Sequence, residues 1–80
     1  MRNITAREVK RFGEKLKTLR TSRGMSVRDL ASAMGAARST ISSVETSRMQ
    51  PTIDFAYKVA TYFQISTDDL LDDTREVMAS

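Results

Sequence analysis

The sequence predicts an all-α fold built from five short helices, and three observations point there. Apolar residues recur at helical spacing in five stretches, each bracketed by cap or stop residues. No stretch alternates apolar and polar residues cleanly, and no hairpin dipeptide occurs. Eighty residues, 40% apolar and 29% charged, match one ordinary globular domain over residues 1–80 rather than a disordered chain.

Each helix has its own signals. Thr5-Ala6-Arg7-Glu8 has capping-box spacing, and behind it Val9, Phe12, Leu16 and Leu19 form a stripe. Lys10, Lys15 and Lys17 fall on the other faces of this first helix, and Gly24 after Arg20 and Arg23 is its left-handed stop. Ser26 and Asp29 cap a second helix whose short apolar face is Leu30, Ala31 and Met34, ended by Gly35. Ala37, Ile41 and Val44 share one side of a third. Residues 46–51 read as a loop. Thr52 caps a fourth helix with a buried stripe of Ile53, Ala56, Val59, Ala60 and Phe63. Thr67 caps a fifth, with Asp68 and Asp69 at its positive end, and Leu70 and Leu71 close the core. Residues 74–80 fray from that helix or extend it.

Composition removes whole classes of function. With no Cys there is no disulfide and no thiolate zinc site. With no His, the commonest metal ligand and general base is missing too, so neither an enzyme nor a cofactor or metal is expected. No run of about 18 apolar residues could span a membrane, and no hydrophobic segment follows the N-terminal charges as in a secretory signal. The expected location is the cytoplasm. In so small a chain, association with a second copy is the remaining source of extra stability.

The net charge of +3 hides a polarised chain. Residues 1–24 carry eight Lys or Arg against Glu8 and Glu14, a local +6. Residues 25–51 balance at +1. Residues 52–80 set Lys58 and Arg75 against five Asp and Glu76, a local −4. Such asymmetry suits a protein with one face on a polyanion; a solvated basic helix has the same signature.

The informative stretch is Ser26 to Glu45. Two helices of about eight residues joined only by Gly35-Ala36-Ala37 must cross steeply, as in a helix-turn-helix. Opposite Ala37, Ile41 and Val44, the second of these helices carries Arg38, Ser39, Ser42, Ser43 and Thr46. This face has no acid, and every member can hydrogen-bond. An Arg can read guanine O6 and N7 bidentately, and Ser or Thr can pair with several bases. Taken alone, the same face is also an ordinary solvated one.

The ordered set of parts is more specific than any one of them. Phe12-Gly13-Glu14-Lys15-Leu16-Lys17-Thr18-Leu19-Arg20 is followed by Arg23-Gly24-Met25-Ser26 and Asp29-Leu30-Ala31. Gly35, Arg38-Ser39-Thr40-Ile41-Ser42, Glu45, Pro51-Thr52, Ile65-Ser66 and Asp69-Leu70-Leu71 complete it. Across residues 12–71 the chain resembles the Cro/C1-type, or XRE-family, helix-turn-helix transcriptional regulators. The resemblance implies a five-helix bundle of the lambda-repressor-like DNA-binding type, with helix 3 in the major groove of double-stranded DNA. Position by position, Arg38, Ser39, Ser42 and Ser43 fall where relatives read bases, and Ser26, Arg28, Thr46 and Arg48 where they hold phosphates. Arg20 and Glu45 match a partly buried ion pair between helices 1 and 3.

The departures from the family pattern are specific. Val27 stands where relatives usually carry a Gln that holds a phosphate, and Ala37 where a Ser or Thr caps the recognition helix. The usual Asn/Arg-Gly-Lys of the following loop is Thr46-Ser47-Arg48. Each weakens DNA binding or shifts it onto Arg28 and Arg38.

Residues 5–11 read as a helical extension of the family core. There Arg7, Lys10 and Arg11 either reach phosphates or only solubilise the helix. One short helix reads few base pairs, so the expected form is a homodimer on a palindromic operator, with repression the default role and activation the other. Phe55, Tyr62, Ile65 and Leu71 are the candidate dimer contacts, although core packing explains most of them equally well. The alternative is an antitoxin or other protein-interaction module on the same fold. It is motivated by the acidic C-terminal part and by Val27 and Ala37.

Overall fold

A computed structural model of the chain describes residues 9–77, all of it helix and connection, with no strand among them. The elements are α1 (Phe12–Ser22), α2 (Val27–Met34), α3 (Arg38–Glu45), α4 (Ile53–Phe63) and α5 (Thr67–Leu71). α1 packs on α3 and α5, α2 packs on α3 and α4, and α4 packs on α5. One core joins them, from Phe12, Leu16 and Leu19 through Leu30, Ile41 and Val44 to Val59, Phe63 and Leu70.

The stops and caps are those that the local chemistry favours. Gly24 (φ 67°) and Gly35 (φ 64°) take the left-handed conformation that ends α1 and α2. Ser26 and Asp29 form a reciprocal capping box on α2, and Thr52 accepts from the Phe55 N–H on α4. α3 begins at Ala37, whose side chain makes no capping hydrogen bond.

Six expectations are corrected, three about where elements begin and end and three about burial. α1 starts at Phe12, so Val9, Lys10 and Arg11 are not a helical extension; the N–H groups of Lys10 and Arg11 instead donate to the Asp73 carboxylate. The Thr5–Glu8 capping box and Arg7 lie outside the described residues. The cap of α5 is Ser66, one residue before Thr67, because the Ser66 hydroxyl takes the Asp69 N–H. α5 ends at Leu71, and residues 72–77 turn back toward α1 without extending it.

Two side chains are on the opposite side from the one expected, and Leu71 is 37% exposed rather than closing the core. Ile53, the first residue of α4, is 88% exposed because no element packs over it. Lys15 is buried at 1% exposure. Its ammonium donates to the carbonyls of Asp69 (2.6 Å) and Asp72 (2.7 Å), which end α5 and have no partner further along a helix. A buried cation is held here by helix-end carbonyls in place of a carboxylate.

Candidate nucleic-acid interface

α3 is held from behind by α1. A methyl group at Gly13 would collide with the Val44 carbonyl and lie 2.8 Å from the Glu45 carbonyl oxygen, so only glycine lets the two backbones approach so closely. Beside it, Arg20 bonds both oxygens of Glu45, through Nε at 2.7 Å and Nη2 at 3.0 Å. Its remaining Nη1 donates to the Met25 carbonyl at 2.7 Å, tying the α1–α2 turn to the same fork. The bonds to Glu45, opposed only by partial burial, raise the Arg20 pKa above its ordinary value. The expected Arg20–Glu45 pair between α1 and α3 is therefore present.

The far end of α3 is closed by the backbone. Ser47 adopts φ 61°, and the N–H groups of Ser47 and Arg48 donate to the carbonyls of Val44 and Ser43. This is the six-to-one and five-to-two pattern of a Schellman stop, made here with Ser where glycine is usual.

In front of α3 lies an open cleft of 990 Å³, lined by Ser26, Val27, Arg28, Asp29, Arg38, Ser39 and Ser42. It brings together five of the eight expected contact residues: Ser26 and Arg28 from the start of α2, and Arg38, Ser39 and Ser42 from α3. Arg28 and Arg38 are exposed, and neither has an acidic partner among the described residues. Asp29 is the one acid in the cleft. The Ser26 backbone N–H and hydroxyl lower its pKa, so it is engaged as a cap.

The other three expected residues lie outside this cleft. Ser43 is half-buried on the flank of α3. Thr46 and Arg48 are exposed at the opposite end, where the Thr46 hydroxyl donates to the Ser42 carbonyl. Arg11, a candidate for phosphate, has its guanidinium taken by Glu14, Glu76 and the Asp73 carbonyl.

Of the candidate dimer residues, Phe55, Tyr62 and Ile65 are partly buried against the core, and Leu71 is exposed. Phe55 packs on Phe12 at 6.3 Å between ring centroids, and Tyr62 meets Phe63 edge-on at 5.0 Å. Among the described residues no three metal-ligating side chains gather. No helix among them is long and apolar enough to cross a membrane.

A family model described as helix-turn-helix matches residues 16–70. The chain belongs to the Cro/C1-type helix-turn-helix family. It is 35% identical over 66 residues to the HTH-type transcriptional regulator SinR of Bacillus subtilis, a match covering 81% of this chain. That match spans 60% of the length of SinR. It is also 32% identical over 56 residues to an uncharacterized HTH-type transcriptional regulator of Methanocaldococcus jannaschii, covering 70% of this chain and 85% of that one.

Solved structures agree. The N-terminal DNA-binding domain of B. subtilis SinR superposes with a TM-score of 0.73 at 34% identity, covering 82% of this chain and 97% of that one. SinR in complex with DNA, described as the master regulator for biofilm formation, gives 0.70 at 35% identity, covering 76% and 98%. A SinR–SinI complex gives 0.73 at 34%, covering 86% and 68%. The family is one of transcriptional regulators, not enzymes.

Two features of the site escaped the sequence. The role of Gly13 is one; only the spacing Phe12-Gly13 before a helix-long apolar stripe hinted at it. The other is Asp29 as a wall of the cleft, which its capping pattern with Ser26 had signalled only as a helix start.

Proposed function

We propose that the chain is a sequence-specific, double-stranded-DNA-binding regulator that acts in the cytoplasm as a homodimer on a palindromic operator, with α3 in the major groove. The observation that carries this reading is the acid-poor cleft in which Arg28, Arg38, Ser39 and Ser42 converge without ion pairs among the described residues. The DNA complex of SinR, which shares the fold, supports it. Ser26 and Arg28 at one end of α3, and Thr46 and Arg48 at the other, hold phosphates and fix the register. Arg38 reads guanine, while Ser39, Ser42 and Ser43 read neighbouring base edges.

Such a head has few base contacts, each worth about 1–3 kcal/mol, so one copy discriminates poorly. Two copies on half-sites about 34 Å apart multiply the selectivity. Repression by occupying the promoter follows from binding alone and needs no further domain.

Selection from a random duplex pool, followed by titration of the winner at several salt concentrations, tests this. A two-fold symmetric motif with a steep salt slope and a large preference over scrambled DNA is expected. Recovery of no motif, with weak and purely salt-dependent binding, overturns it.

A second reading, a module that docks a partner protein as an antitoxin would, has one observation in its favour: SinR has also been solved in complex with SinI. The acidic C-terminal part gives it less support, since Asp69, Asp73 and Glu76 are engaged within the chain by Arg75, Lys10 and Arg11.

A further inference from the structure

The largest apolar exposure among the described residues is concentrated at the start of α4. Ile53 is 88% exposed, Tyr57 66% and Leu71 37%. All three line one groove of 480 Å³, together with Val9, Pro51, Ala56 and Thr67. None of these residues belongs to the α2–α3 cleft, so the groove is separate from the proposed DNA-reading surface. A concave apolar surface edged by a largely exposed Ile is a place where a partner docks.

The charges on the same helix say which partner. Asp54 and Lys58 follow Ile53 and Tyr57 by one position each, so the face of α4 reads apolar, acidic, then apolar, basic across one turn. Both charged residues are exposed, and neither has an ion-pair partner among the described residues. Two copies of α4 packed antiparallel about a two-fold axis passing between residues 55 and 56 bring each Asp54 to within one residue, about 1.5 Å of helix rise, of the level of Lys58 of the second copy. The same axis leaves each Ile53 offset by the same small step from Tyr57 of the second copy, so both pairs are within side-chain reach at once. A two-fold interface must be its own complement, whereas a foreign partner imposes no such pattern on the sequence.

We infer that the α4 face formed by Ile53, Asp54, Tyr57 and Lys58 is the contact with a second copy of this chain. Each protomer inserts Ile53 toward the groove of the other, and two symmetric Asp54–Lys58 pairs fix the register. The inference rests on the homodimer reading and names its surface.

Charge reversal tests it on the full chain. In D54K or K58D, like charges face each other twice, once on each side of the axis. In D54K/K58D the pairs are restored with their signs exchanged. Sedimentation equilibrium reports the dimer dissociation constant, titration of a duplex bearing one selected half-site reports DNA reading, and far-UV ellipticity reports the fold. Each single reversal is expected to weaken dimerisation about tenfold or more, and the double variant to recover most of that loss. I53D, which alters a side chain already in solvent, should also weaken it. Half-site affinity and ellipticity should stay at wild-type values throughout.

A dimer of unchanged strength in all four variants, or a double variant as weak as the two singles combined, overturns the α4 surface and leaves the homodimer standing. A wild-type chain that is monomeric at every concentration and binds full sites without cooperativity overturns both, and gives the groove to a different protein.

Discussion

Arg20 and Glu45 join α1 to α3 through two parallel hydrogen bonds of 2.7 and 3.0 Å, with side chains only 11% and 6% exposed. At that burial the pair is poor evidence of net stabilisation, but breaking it strands a charge. Arg20→Ala or Glu45→Ala is expected to cost about 3–5 kcal/mol. The apolar double variant Arg20→Met/Glu45→Leu should cost clearly less than the two single losses combined. Urea denaturation of the four proteins measures this. Additive losses would show that the two side chains act independently.

Gly13 makes the same joint from the backbone side. In Gly13→Ala the new methyl meets the Val44 and Glu45 carbonyls, which belong to a helix and cannot rotate away as a side chain could. Overpacking of this kind is expected to cost about 3 kcal/mol and to lower Tm by about 10–20 °C. A variant melting within a degree or two of wild type would mean that α1 and α3 separate freely.

Ser47 is the converse case, a side chain where glycine is easier. Its φ of 61° crowds the Cβ against its own backbone, yet the turn is needed to end α3. Ser47→Gly should stabilise by about 1 kcal/mol, raising Tm by about 4–8 °C. Calorimetry decides the sign, and a lower Tm would contradict strain at this residue.

These joints also show what could be read from the sequence. The α2–α3 unit was legible because its signals are local: the Ser26–Asp29 box and Gly35 each act within one turn. Lys15 was not. It follows Phe12 by three and precedes Leu19 by four, which puts it on the apolar face, but its charge argued for solvent. The carbonyls that accept it belong to Asp69 and Asp72, more than fifty residues away, and no local rule sees them. Ile53 failed for the opposite reason. It continues an apolar stripe by spacing, but it opens its helix, where no neighbour covers it. The extension at residues 9–11 gave way to Asp73, a partner 62 residues from Arg11.

Acid should loosen that long-range closure. The backbone N–H of Lys10 lowers the Asp73 pKa, the Arg11 guanidinium lowers that of Glu76, and the Thr74 hydroxyl lowers that of Asp72. Asp29 is lowered by Ser26. Carboxyls depressed in the folded state contribute stability above their unfolded pKa, near 4, and lose it as pH falls through the folded values. The urea midpoint should therefore hold steady from pH 8 to about 5 and decline below about 4. Asp73→Asn should lower the neutral plateau and flatten the acid decline. An acid decline as steep as that of wild type would remove Asp73 from the account.

The arginines of the proposed DNA surface separate reading from holding. Arg38 lies at the start of α3 in the cleft, whereas Arg48 lies beyond its C-terminal end, in the loop. If Arg38 reads a base, Arg38→Ala should lose about 1–3 kcal/mol per half-site on the selected operator and relax selectivity at one base pair of each half-site. If Arg48 holds a phosphate, Arg48→Ala should weaken operator and scrambled DNA alike and reduce the salt slope by about one per half-site. Fold is a small concern for either change, since both side chains are exposed and without ion-pair partners among the described residues. Titrations of each variant on both duplexes at several salt concentrations give both quantities together. Unchanged selectivity in Arg38→Ala would move base reading to Ser39, Ser42 and Ser43. A selectivity change in Arg48→Ala would mean that the loop after α3, not its first turn, meets the bases.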